Sequence, residues 1–74
     1  MTKRDKHIAA MRRNPKTVRP DELDAVLLAA GFEARQESTS HKLYKRGTQQ
    51  ISVPQRHPYL LPTYVKQALD LLED

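Results

Sequence analysis

Two apolar stripes of one spacing enclose a stretch of a different period, and this contrast limits the folds open to the chain. Leu23, Val26, Leu27 and Ala30 fall at i, i+3, i+4 and i+7, and Val65, Ala68, Leu69 and Leu72 repeat the spacing. Each set lines one side of a helix. Between them the period drops towards two. Residues 32–37, 40–46 and 50–53 read as strands, separated by turns at Ser38-Thr39 and Gly47-Thr48. Turns this short make neighbouring strands antiparallel. Pro20 and Pro62 suit first-turn helical positions, and Gly31 suits the residue after a helix end. Asp21, Glu22 and Asp24 complement the positive end of the helix dipole.

A weaker helix over residues 3–13 has only Ile8 and Met11, with Ala9 and Ala10, on its apolar side. It should be the least stable element, and Asn14-Pro15 should end it. The predicted order is α-α-β-β-β-α, an α+β fold with a three-stranded antiparallel sheet and helices packed on one face. Two helical stripes need a common apolar surface, and one sheet face supplies it. Phe32, Ala34, Tyr44, Ile51 and Val53 are the expected residues of that face.

Strand parity then decides which side chains are free. Lys42 and Tyr44 share one face of the second strand, while His41, Leu43 and Lys45 share the other. Turning the larger apolar body of Tyr44 towards the helices puts His41 on the open face beside Lys45. The opposite parity would bury His41 with Leu43. Tyr44 on the open face would be free to stack on a base, and Leu43 there would mark a partner's footprint.

Seventy-four residues make one domain, 1–74, with residues 1–17 as a helical extension and 18–73 as the core. A chain this short buries only about 60% of its unfolded surface. An active site must therefore lie on an open face, where a polymer is a better ligand than a small metabolite. Absence of cysteine excludes disulfides and thiolate metal sites. The charged start has no apolar run behind it, unlike a secretory signal. No stretch nears the ~20 apolar residues of a membrane span. A soluble, cytoplasmic protein is expected, with no membrane contact.

The net charge of +4 is unevenly spread: residues 1–20 carry seven basic and one acidic side chain, and residues 41–60 four basic and none acidic. A basic patch attracts a polyanion by counterion release, although such a surface also merely keeps a small protein soluble. Arg35, Lys42, Lys45, Arg46 and Arg56 are the candidate phosphate contacts, with Lys66 weaker. Among these cations stands His41, and imidazole exchanges protons near neutral pH. The combination points to RNA cleavage by general acid–base chemistry. His57 is a conceivable second group, in a loop whose path the sequence does not reveal. For His7 and His57 an ordinary surface role is the simpler account. His7, His41 and His57 lack metal-ligand spacing, and only two glycines are present, so neither a metal site nor a phosphate loop is expected.

The run from Gly31-Phe32 through Ser40-His41, a basic aromatic strand, Ile51-Ser52-Val53-Pro54 and Leu61-Pro62 to a last helix resembles the HicA family of toxin–antitoxin toxins. The likeness covers about residues 18–73, with 57–69 the closest part. It implies a fold like a double-stranded-RNA-binding domain and metal-independent cleavage of single-stranded mRNA with His41 as catalytic residue. It also implies a HicB antitoxin that covers the site, and no cofactor. The family's glycine-serine-histidine signature reads Thr39-Ser40-His41 here. A β-branched residue avoids the positive φ that glycine supplies, so a reshaped turn is expected. A non-catalytic RNA-binding module, or an interaction domain for an acidic protein, fits the same residues.

Overall fold

Proline opens two of the helices and glycine closes one of them, which sets the frame on which the strands are hung. The computed structural model describes residues 3–72; positions 1, 2, 73 and 74 of the domain bounds 1–74, among them Glu73 at the end of the expected core, lie outside the described residues. The elements are α1 (Lys3–Arg13), a 3₁₀ turn (Pro15–Thr17), α2 (Pro20–Ala29), β1 (Glu33–Gln36), β2 (His41–Arg46), β3 (Gln49–Pro54) and α3 (Pro62–Leu72). The fold is α+β in the expected order, with an antiparallel sheet of order β1-β2-β3.

Pro20 occupies the first turn of α2, where its missing N–H costs nothing. The Glu22 carboxylate accepts the Arg19 N–H at 3.2 Å. At the far end Gly31 takes φ +96°, and two bonds close the helix: Gly31 N–H to Leu28 O at 3.1 Å and Phe32 N–H to Leu27 O at 3.0 Å. This is the Schellman arrangement, which satisfies carbonyls the helix leaves unpaired. Arg46 completes the end: its Nη1 donates to Ala30 O at 2.7 Å and its guanidinium lies 4.6 Å above the Phe32 ring. The other side of the same fork donates to Gln49 Oε1 at 3.1 and 2.7 Å. The tight Gly47-Thr48 hairpin makes this reach possible, with Gly47 at φ +60° and Arg46 paired with Gln49.

The core lies between the helices and one sheet face. Leu23, Val26 and Leu27 enter from α2, Val65, Ala68 and Leu69 from α3, and Tyr44, Ile51 and Val53 from the sheet. Parity is as expected, with Tyr44 turned to the helices and 1% exposed. Phe32 joins them, but Ala34 does not: all four residues of β1 are exposed. β1 and β3 are both edge strands, but only β3 contributes buried residues, Ile51 and Val53. Three further core residues, Met11, Val18 and Leu60, come from α1 and from loops. Leu60 N–H donates to Val18 O at 2.8 Å and fixes the loop after β3 against the start of α2. Arg12 donates to Leu69 O at 3.3 Å, tying α1 to α3. No described helix is long and apolar enough to cross a membrane.

Candidate functional site

His41 opens β2 and pairs with Pro54 of β3. It is exposed, on the sheet face turned away from the helices. Leu43 and Lys45 follow on the same face. Their cross-strand neighbours, Ser52 and Gln50 on β3 and Arg35 and Glu33 on β1, share it, because residues directly opposite in an antiparallel ladder point the same way. Leu43 is half-buried rather than exposed; it lies in a shallow hollow lined by Glu33, Ala34, Arg35 and Lys45.

The loop leading to His41 is held by its own polar groups. Glu37 N–H and Ser38 N–H both approach His41 O, at 3.1 and 3.4 Å. The Gln36 side-chain amide donates to Ser38 O and, at 3.3 Å, to His41 O. Only Gly31 and Gly47 take positive φ among the described residues, so Thr39 is accommodated without the backbone a glycine would allow. Two hydroxyls converge on one ring nitrogen. Ser40 Oγ lies 3.1 Å and Ser38 Oγ 3.4 Å from His41 Nδ1. Nε2 has no hydrogen-bond partner among the described residues, and the residue is exposed. The ring is thus oriented through one nitrogen and available through the other.

The five cations singled out from the sequence do not gather on one face. Arg35 and Lys45 lie on the open face with His41. Arg35 is the diagonal neighbour of His41, about 7–8 Å away at the backbone, and Lys45 lies about 13 Å along the strand. Arg56 is exposed in the loop after β3, whose first residue, Gln55, donates its N–H to Ser40 O at 2.6 Å. Lys42 and Arg46 point the other way. Lys42 Nζ meets Asp24 Oδ1 at 3.0 Å, and Arg46 closes α2. Both are spent on the fold, because alternation places residues 42, 44 and 46 together on the helix side. Tyr44, once a candidate base platform, donates its hydroxyl to the same Asp24 oxygen at 2.7 Å. Burial pushes the Tyr44 hydroxyl's pKa far above the ordinary phenol range, and the Asp24 hydrogen bond and charge add to it.

These contacts also orient the helices. Asp24, near the start of α2, meets Lys42 at the His41 end of β2, while Ala30, at its finish, meets Arg46. Gln49 Nε2 reaches Leu71 O, so α3 also finishes at the Arg46 end. Both helices therefore begin at the end of the sheet where His41 lies, on the face opposite it. His57 and Tyr59 are exposed in the loop at this end; His7 is exposed on α1. Lys66 is exposed on α3, in the helix layer.

One group on the open face went unread in the sequence. The next rung beyond the Gln36–Lys42 pair sets Glu37 beside His41, and the Glu37 carboxylate accepts the Ser52 hydroxyl at 3.0 Å. Glu37 stands on the β1 side and Ser52 on β3, so the carboxylate lies across the central strand next to His41. The only available signal was its parity with His41 about a tight turn. Among the described residues, no three His, Asp or Glu side chains come together as a metal site. Comparisons with known protein families, with curated proteins and with solved structures return no match.

Proposed function

We propose that this chain is a HicA-type toxin, a metal-independent endoribonuclease that cleaves single-stranded mRNA with His41 as its catalytic residue. The observation that carries the reading is an imidazole exposed on the face opposite the helices, with Nδ1 held by two serines and Nε2 left without a partner among the described residues. The α-α-β-β-β-α order, with helices on one face of the sheet, supports a likeness to double-stranded-RNA-binding domains. Arg35, Lys45 and Arg56 are the phosphate contacts of this reading; Lys42 and Arg46 drop out of it because each already has a partner inside the fold.

In this mechanism the RNA's own 2′-hydroxyl gives up its proton to water or a second group and attacks the adjacent phosphorus, and the 5′-oxygen leaves. The proton at Nε2 goes to that leaving oxygen. The serine hydroxyls hold the ring in place while its charge changes. Proton transfer of this kind contributes about 10²–10⁴-fold. The half-buried Leu43 between Arg35 and Lys45 offers an apolar centre for a HicB-type antitoxin laid over the same face, and the cytoplasm is the compartment where mRNA and antitoxin meet.

The test uses the free chain, single-stranded RNA and EDTA. The wild-type protein is expected to cut, and His41→Ala to retain its fold and RNA affinity while losing cleavage. Cleavage that persists in His41→Ala refutes the mechanism. Binding without cleavage by the wild type would mark an RNA-binding module, and neither binding nor cleavage a domain for an acidic protein.

A further inference from the structure

We propose that Glu37 is the second catalytic residue of this site, the general base that complements His41 as general acid. The inference rests on the ribonuclease reading above. Cleavage through a 2′-hydroxyl moves two protons: one leaves O2′ as it attacks, and one reaches O5′ as its bond to phosphorus breaks. A single imidazole does not hold both positions at once, so the reaction calls for a second group on the same face.

Glu37 is placed for that role. Its N–H donates to His41 O at 3.1 Å, so the two residues are backbone neighbours across the β1–β2 ladder. Directly opposed residues have Cβ atoms about 4.5–5.5 Å apart. The side chain does not turn away to solvent. It reaches over β2 to the Ser52 hydroxyl at 3.0 Å, which fixes the carboxylate on the open face beside the imidazole. The Ser52 bond occupies Oε1 and leaves the second oxygen without a protein partner among the described residues. A carboxylate held this way accepts a proton without reorganising.

Charged groups around the pair are few. Arg35 lies on Glu37's face near the end of β1, Lys45 lies further along β2, Glu33 stands opposite Lys45, and Arg56 and His57 are exposed in the loop after β3. The residues of β3 on this face, Gln50, Ser52 and Pro54, are neutral. Arg35, beside both members of the pair, is the cation best placed to offset repulsion between the carboxylate and a phosphodiester. In the reaction, the free Glu37 oxygen takes the 2′-proton as the O2′–P bond forms. His41 Nε2–H gives its proton to O5′ as the P–O5′ bond breaks. The products are a 2′,3′-cyclic phosphate and a 5′-hydroxyl, and the enzyme ends with its protons exchanged between the two residues for solvent to reset.

The experiment follows the pH dependence of single-stranded RNA cleavage for the wild type, Glu37→Gln and Ser52→Ala, alongside His41→Ala. A carboxylate base gives the profile an ascending limb on its acid side, and an imidazolium acid gives a descending limb. Glu37→Gln keeps the hydrogen bond from Ser52 but has no base. Its cleavage is expected to fall about 10²–10⁴-fold with the ascending limb gone. Ser52→Ala keeps the base but releases the carboxylate from its anchor, so cleavage should fall less than in Glu37→Gln, with both limbs of the profile intact. A Glu37→Gln enzyme of near wild-type rate, or one slowed with an unchanged profile, overturns the inference while leaving His41 as the catalytic residue. Absence of wild-type cleavage overturns the ribonuclease reading itself and this assignment with it.

Discussion

Removal of Asp24 should destabilise this protein out of proportion to its position on a partly exposed helix face. One carboxylate oxygen receives both the Tyr44 hydroxyl at 2.7 Å and the Lys42 ammonium at 3.0 Å. Tyr44 is 1% exposed, so in Asp24→Ala its hydroxyl stays buried with no acceptor. An unsatisfied buried polar group costs about 1–3 kcal/mol. The ion pair, with side chains 29% and 24% exposed, adds roughly 0.5 kcal/mol after solvent screening. A total of about 2 kcal/mol lowers Tm by roughly 10 °C in a domain this small. Thermal and urea unfolding followed by circular dichroism at pH 7 measure the loss. The decisive comparison is Asp24→Ala/Tyr44→Phe, which removes the hydroxyl together with its acceptor and should recover about 1 kcal/mol relative to Asp24→Ala. A double variant no more stable than Asp24→Ala would refute the account, since the stranded hydroxyl would then not be the source of the loss.

The two groups of cations should separate cleanly. Arg46→Ala frees the Ala30 carbonyl and the Phe32 ring and should cost about 1–3 kcal/mol in urea unfolding, with little change in RNA affinity per folded molecule. Arg35→Ala and Lys45→Ala should leave Tm within about 2 °C yet each reduce the salt slope of single-strand RNA binding by roughly 0.7; equal slopes in all variants would contradict the assignment. Stability should also fall in alkali. Tyr44 holds its proton more tightly in the folded state than in the unfolded chain, so its contribution is complete below the unfolded value of about 10 and is lost as pH rises above it. Tyr44→Phe should flatten that part of the stability–pH curve.

The frame of this molecule was legible because its signals are periodic. Leu23, Val26 and Leu27, and Val65, Ala68 and Leu69, are buried as their spacing predicts, and Gly31 ends α2 with the positive φ its place implied. The parity of β2 was legible too, since only Tyr44 is large and apolar enough to face two helices. Contacts without a period were not. Val18 and Leu60 stand alone in loops, and nothing local announces that their backbones bond to each other. Lys42 and Arg46 were counted with the phosphate contacts because charge was summed along the chain, whereas alternation sends them to the opposite face from Lys45. Ala34 has the right parity, but β1 is exposed throughout while the other edge strand, β3, buries Ile51 and Val53; alternation fixes which face a residue takes, not how far the helices cover it. Glu37 reads as the last residue of the first strand and was passed over because the site was sought among cations, and its reach to Ser52 spans the whole width of the sheet.

The place of His41 on the middle strand has a mechanical consequence. β2 is laddered on both sides, and the segment before His41 is tied by three further bonds to its carbonyl. A fluctuation that displaces this backbone must therefore break hydrogen bonds to two neighbours at once, which makes it nearly as costly as opening the whole domain. Fraying of α1, or loosening of the exposed edge, can proceed without shifting the imidazole, and the temperature at which the site fails should coincide with the temperature at which the chain melts.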